Sequence, residues 1–264
     1  MKLNTSTGLN TLNQAQLQQE NLLKKLANGR RINSAADDAA GLQIANQLSS
    51  SINAKAQGER NLYDGISLSR VYEQALQGVN DNFAELGRLA VAAGNGIYGT
   101  QERQALQKEA DGLLDNARQI IDNTEFGGKK LFGADASINF ESGSGALSLT
   151  TTDVGSALQS QNAFNLDLTN PAGAAQALSR IEQARDFIGA LQAEAGAEAN
   201  RFAAAARNSS GQQVAESAAR SRIADLDYAR ASSDRAAANI LTQSSISVTM
   251  QARISSERAL SLLS

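Results

Sequence analysis

The sequence predicts a mainly α protein: a long antiparallel helical bundle or coiled-coil rod with a small central β-hairpin region. Three observations carry this. Apolar residues recur at alternating three- and four-residue steps in both halves of the chain, the rhythm of a packed helix seam. A single proline, Pro171, stands among 264 residues, so almost nothing interrupts long helices. Near the middle, the pattern changes to alternation of apolar and polar residues, the period of a strand.

The first helix carries Leu12, Ala15, Gln19, Leu22 and Leu26 and ends near Asn28-Gly29, a suitable C-terminal cap. Ser34 with Asp37 resembles a capping box, with Asp in place of Glu or Gln, and predicts that the second helix starts there. The same rhythm then runs through Ile44, Leu48, Leu62, Tyr72, Leu76, Val79, Phe83, Leu86 and Ala90. Ser51, Lys55, Gly58, Gly65 and Ser69 fall on the seam between them and make it imperfect. A helix from Ser34 to Ala93 is about 90 Å long at about 1.5 Å per residue, a length suited to a bundle or coiled-coil rod.

Gly94, Gly96 and Gly99 break this pattern. A third helix follows through Leu106, Ala110, Leu113, Ala117 and Ile120 and stops before Gly127-Gly128. Ile138 and Phe140, then Leu147 and Leu149, alternate with polar residues around a Ser142–Gly145 turn, which predicts a β-hairpin with some loop around it. Pro171 precedes another helix, with Ala177, Ile181, Ala184, Ile188, Leu191, Ala195, Phe202 and Ala205 on its seam. The last stretch carries Leu241, Ser245, Val248, Ala252, Ser255, Ala259 and Leu262. Its small seam residues bury little area each, so such a helix must be stabilised by packing on something else. Weak helical ends thus flank stronger helical segments, and the chain is expected to fold back with its terminal helices side by side.

Composition excludes much chemistry. There is no Cys and no His, which removes disulfides, thiolate metal sites and the commonest general base. A net charge of −3 argues against nucleic acid or anionic membrane as partner. No run approaches the roughly 18 apolar residues of a spanning helix. The first thirty residues are polar and Gln/Asn-rich, without the apolar stretch of a secretory signal. Asp37-Asp38 is the most conspicuous carboxylate pair, but neighbours on a helix diverge by about 100°. Helix-start charge near Arg30 and Arg31 explains the pair. Gly127-Gly128-Lys129-Lys130 fails as a phosphate loop, because Asn123 stands where the first Gly is required and Lys130 where Ser or Thr is. Asp225, Asp227 and Tyr228 read as a solvated helix face, and Lys24-Lys25 lacks the aromatic interleaving of a nucleic-acid site. No catalytic, cofactor-binding or metal-binding residue is therefore assigned, and no enzyme activity is expected. The apolar stripes remain, either as an internal bundle or as surface for packing between subunits.

Lys25 to Leu42, with Arg31, Ile32, Asn33, Ser34, Asp37, Asp38 and Gly41 at its centre, resembles the N-terminal signature of bacterial flagellins. Asn61 to Ser67, which contains Asp64-Gly65, resembles that family's Asn-x-x-Asp-Gly-Ile-Ser. Leu89-Ala90-Val91 and Thr124 to Leu131 also fit. On the C-terminal side, Gly196 to Phe202 is similar to Gly-Ala-x-x-Asn-Arg-Phe, with Asn200, Arg201 and Phe202 in place. Ser221 to Ala229, with Asp225 and Asp227, and the closing Leu260, Leu262 and Leu263 complete the resemblance.

The resemblance implies a subunit that polymerises into the flagellar filament for swimming or swarming. Residues 1–44 would be an inner-tube helix, disordered in the monomer, and 222–264 the C-terminal inner-tube helix. Residues 45–131 and 173–221 would form the two halves of a helical rod domain, and 132–172 a β-hairpin and loop region. The outer domains of larger flagellins look absent. Implied partners are further copies of the chain, an export chaperone at the C-terminal helix, and the filament cap and junction proteins. Implied location is extracellular, by type III export. The family's Toll-like receptor contact aligns with Glu85, Arg88, Leu89 and Asn116. Well-recognised members carry Arg and Glu in place of Glu85 and Asn116, so weak recognition is expected. Arg230 and Ile254 to Arg258 also depart from the family pattern. The hook–filament junction protein shares the architecture and is the alternative, although prolines usually flank its Asp pair where Ala36 and Ala39 stand here. A monomeric coiled-coil binding module would differ in keeping ordered termini.

Overall fold

The computed structural model describes residues 5–261. Among the described residues, six helices and two small antiparallel hairpins follow in the order α1 (Thr5–Asn28), α2 (Ala39–Gly94), α3 (Thr100–Asn123), β1 (Glu125–Phe126), β2 (Lys129–Lys130), β3 (Ala136–Glu141), β4 (Ala146–Thr151), α4 (Val154–Ser160), α5 (Pro171–Ala224) and α6 (Tyr228–Ser261). The mainly α class and the central hairpin are as the sequence predicts. The chain divides into two compact units, Asn53–Gln213 and the two terminal segments up to Ile52 and from Val214.

Within Asn53–Gln213, the core is built along α2. Leu62, Leu76, Val79, Phe83 and Leu86 are fully buried there, joined by Ile188 and Phe202 of α5 and Ala117 of α3. Gln192 Nε2 donates to Gln77 Oε1 at 3.1 Å and Arg185 Nε to Asn80 Oδ1 at 3.3 Å, so α5 runs antiparallel to α2. The α3 helix also returns antiparallel along α2, where Asn116 Nδ2 donates to Asn82 Oδ1 at 3.3 Å. Buried alanines at 174, 177, 184 and 195 let α5 lie close to its neighbours. Ser69, Gly65 and Lys55, which interrupt the apolar seam in sequence, are buried and keep the seam continuous.

Three elements differ from the expectation. Helix α2 starts at Ala39, not near Ser34, because the Asp37 carboxylate closes a turn before it. The Gly127-Gly128 stretch is not a plain turn but the loop of a hairpin, with Glu125 opposite Lys130 and Phe126 opposite Lys129. Both glycines have positive φ, 58° and 78°, as a two-residue hairpin loop requires. Helix α4 lies inside the stretch expected to be hairpin and loop, started by Asp153, whose Oδ1 accepts from Ser156 N at 2.8 Å. The main hairpin pairs Ile138 with Leu149 and Phe140 with Leu147, the register the alternation predicts.

In the terminal unit, α1 and α6 run antiparallel. Gln19 Nε2 donates to Asn239 Oδ1 at 2.7 Å, and Tyr228 Oη donates to the Leu26 carbonyl at 3.0 Å. Ala15, Ala231 and Ala238 are buried between them. The larger apolar residues Leu17, Ile240, Leu241, Val248 and Met250 are exposed, at 54–65%. The expected α6 seam through Leu241 and Val248 is therefore displaced to its small residues. Ile44, expected on the α2 seam, is also exposed, and Ala45 is buried in its place.

Candidate assembly site

Both terminal helical strands break at the same level, and the signature residues of both ends meet there. Gly29 ends α1 with φ +65°. A Cβ on it would lie 3.1 Å from the Tyr228 hydroxyl, so glycine answers both the backbone and the space. The Gly29 carbonyl accepts from Leu226 N at 3.0 Å, and Arg31 N donates to the Ala224 carbonyl at 2.8 Å. Arg30 and Asp225 thereby form an antiparallel bridge. The Arg31 guanidinium adds a bond to the Ile223 carbonyl at 2.5 Å. Backbone groups freed by two broken helices thus satisfy each other, and two interrupted helices need that.

The Asp pair is structural. Asp37 Oδ2 accepts from the backbone N–H groups of Asn33 and Ser34 at 3.0 Å each, and from the Ser34 hydroxyl at 3.2 Å. Lys25 Nζ lies 3.3 Å from its other oxygen. The Asn33 and Ser34 amides, with a smaller contribution from Lys25, hold the Asp37 carboxyl down to about 2. Asp38 Oδ1 accepts from Gly41 N at 2.8 Å and opens α2. A Cβ on Gly41 would meet Asp38 Oδ2 at 2.5 Å and Ile32 Cδ1 at 2.7 Å, and Ile32 is itself buried. Asn33 Nδ2 donates to the Arg30 carbonyl at 3.2 Å. Asp227 opens α6, with Oδ1 accepting from Ala229 N at 3.0 Å and Arg230 N at 3.1 Å. Asp225 and Asp227, which read as a solvated face in sequence, are thus a bridge residue and a helix cap.

A second group lies within Asn53–Gln213. Phe202 is fully buried, edge-on to Phe140 at 5.3 Å between ring centres. A Cβ on Gly65 would lie 3.0 Å from its ring. Arg201 pairs with Glu198 at 2.6 Å. Asp64 and Asn200 are exposed, and Asn200 lines an open cleft of about 540 Å³ with Tyr63, Arg70 and Gly196. Leu260 lies in α6, while Leu262 and Leu263 lie outside the described residues. In the region aligned with the receptor contact, Glu85 pairs with Arg88, whose guanidinium lowers the Glu85 carboxyl. Leu89 is a core residue, so its side chain is not part of that surface.

Sequence reasoning missed the residues that fix the hairpin. Asn61 Nδ2 donates to the Glu141 carbonyl at 2.9 Å, and Gly58 lies directly under Ser142. No periodicity marks such contacts, which depend on how the turn lands on the helix. Among the described residues, no cluster of His, Cys, Asp or Glu could hold a metal ion. No described helix is long and apolar enough to cross a membrane.

The chain matches two family models, the bacterial flagellin N-terminal helical region over residues 2–137 and the bacterial flagellin C-terminal helical region over residues 178–263. It is 32% identical to a flagellin of Halalkalibacterium halodurans over 274 aligned positions, covering 100% of this chain and 96% of that one. The crystal structure of Bacillus cereus flagellin aligns with TM-score 0.52 at 25% identity, covering 57% of this chain and 88% of that one. A putative flagellar hook-associated protein from Vibrio parahaemolyticus aligns with TM-score 0.61 at 14% identity, covering 72% of this chain and 100% of that one, a likeness of fold alone. Two family models and a full-length relative agree with the signatures at both ends: this chain belongs to the bacterial flagellin family.

Proposed function

We propose that this chain is the structural subunit of a bacterial flagellar filament, a helical homopolymer that serves motility. The family is a structural one, and the chain is not an enzyme. One observation carries the reading. In the terminal unit, small residues fill the α1–α6 contact while Leu17, Ile240, Leu241, Val248 and Met250 face outward. Exposed apolar side chains at this density mark surface destined for another protein. A heterologous contact between identical copies that does not close produces a filament.

Residues 1–44 and 222–264 form the inner tube in this reading and order on docking, since a pair of helices with so small a seam is marginal alone. The partners are further copies, an export chaperone on the C-terminal helix, and the cap and junction proteins. The filament is extracellular, thin-walled and smooth, with the 136–151 hairpin region outermost. Toll-like receptor activation is weak, because Glu85 and Asn116 stand where well-recognised members carry Arg and Glu, and Glu85 is paired with Arg88.

Expression in a swimming bacterium lacking its own flagellin tests this. Filaments and restored swimming are expected. Cells that export the chain but carry only short hook-tip structures would instead favour the junction protein, a reading left standing by the shared fold with a hook-associated protein.

A further inference from the structure

The chain contains two Asn-Gly dipeptides, Asn28-Gly29 and Asn95-Gly96. This pair of residues is the one in which a backbone nitrogen most readily attacks the preceding side-chain amide, because glycine offers no Cβ to obstruct the approach. The structure separates the two. Asn28-Gly29 is pinned: the Gly29 carbonyl is bonded to Leu226 N and the glycine lies under Tyr228. Asn28 is also the last residue of α1, and its side-chain amide donates to Asn33 Oδ1 at 3.4 Å.

Asn95-Gly96 lies in the exposed connection between α2 and α3. Among the described residues, the Gly96 N–H donates no hydrogen bond, so the attacking nitrogen is unengaged. The Asn95 side-chain carbonyl accepts from Ile97 N at 3.1 Å. That donor polarises the amide carbon and stabilises the oxyanion that forms on attack. The Asn95 backbone carbonyl accepts from Tyr98 N at 3.2 Å and from the Arg103 guanidinium at 3.2 Å.

We propose that Asn95-Gly96 is a site of spontaneous deamidation through a succinimide, with isoaspartate as its main product. Gly96 N loses its proton to hydroxide and bonds to the Asn95 side-chain carbonyl carbon, and the amide nitrogen leaves as ammonia. Water then opens the ring. Arg103 and Tyr98 polarise the former backbone carbonyl, so water adds there, the bond from that carbon to Gly96 N breaks, and the chain continues through the side-chain carbon. Overall, one water is consumed and one ammonia released. Each event adds a carboxylate and one backbone atom to the α2–α3 connection, beside the 88% exposed Ile97. If the chain is a filament subunit, as proposed above, the product accumulates with filament age; the chemistry itself does not depend on that reading.

The purified full chain is aged at mildly alkaline pH and cleaved with trypsin, which releases residues 89–103 as one peptide. Mass spectrometry reads amide-to-acid conversion, and a protein isoaspartyl methyltransferase reads the isoaspartate. Expected is conversion within severalfold of the rate of the free synthetic peptide of the same sequence, mostly to isoaspartate. Gly96→Ala, whose Cβ would meet nothing within 4 Å, should slow it by an order of magnitude without unfolding the chain. Conversion slower than that of the free peptide by an order of magnitude or more, a product that is mostly aspartate, or an unchanged rate in Gly96→Ala would each overturn the proposal.

Discussion

Gly58 makes the contact most sensitive to a single methyl group. It lies on α2 under the tip of the β3–β4 hairpin, and a Cβ there would stand 2.0 Å from the Ser142 carbonyl carbon and oxygen. These are backbone atoms, so no flexible side chain can move aside. From the other side, a Cβ on Gly143 would stand 2.6 Å from the Ala54 carbonyl oxygen. Gly58→Ala gains about 1 kcal/mol of helix propensity. Against that stand an overpacking cost of about 1–3 kcal/mol and about 1 kcal/mol for the Asn61 bond to Glu141 if the turn lifts away. The net expectation is a loss of about 1–3 kcal/mol, and each kcal/mol lowers the thermal midpoint by about 2–4 °C in a domain of this size. Gly112→Ala on α3 is the comparison. Nothing lies within 4 Å of its Cβ, so it keeps only the propensity gain and should raise stability by about 1 kcal/mol. Thermal and urea unfolding by far-ultraviolet circular dichroism compare the two. Gly58→Ala as stable as the wild type would refute the reasoning, because it would mean that the hairpin does not rest on α2 as described.

Phe202→Ala should cost about 3–5 kcal/mol, since a fully buried ring and its edge contact with Phe140 are lost; a loss below about 1 kcal/mol in urea unfolding would show that the site collapses onto Gly65. Asp37 has a depressed folded-state pKa, so its contribution is present above the ordinary carboxylate value of 3.8 and fades as pH falls from there to about 2. Protection of the Asn33 and Ser34 amides, taken relative to the intrinsic exchange rate at each pH, should fall through that window, whereas in Asp37→Asn it should be low throughout; a wild-type transition above pH 5 would contradict the assignment. In Toll-like receptor reporter cells the chain should be a weak activator, and a response equal to that of an enteric flagellin would show that Glu85 and Asn116 do not weaken recognition.

The helices were legible because their seams repeat over many turns, as in Leu76, Val79, Phe83 and Leu86 on α2. The β3–β4 register was legible because a turn of small residues sits between two alternating runs. Boundaries were less so. Ser34 and Asp37 have the spacing of a helix start, yet Asp37 closes a turn with Asn33 and Ser34, and Asp38 makes the cap. Helix α4 is too short for periodicity to mark, and only Asp153 three residues before Ser156 signals it. On α6 the small-residue character of the seam was legible but its register was not: the expected stripe runs through Leu241 and Val248, which are exposed, whereas Ala231 and Ala238 are the buried residues, because an alanine-lined contact permits close approach. The site at the terminal break was visible in its residues through family resemblance. Its geometry was not, since the backbone bonds from 29–31 to 224–226 join residues far apart in the chain.

The terminal segments are expected to drive self-assembly. Electron microscopy of the purified full chain, before and after adding a precipitating salt and seeds of sheared filaments, tests it beside a chain lacking residues 1–40 and 225–264. Long filaments from the full chain and none from the truncated one are predicted. A full chain that stays monomeric with compatible seeds, or filaments from the truncated chain, would contradict it.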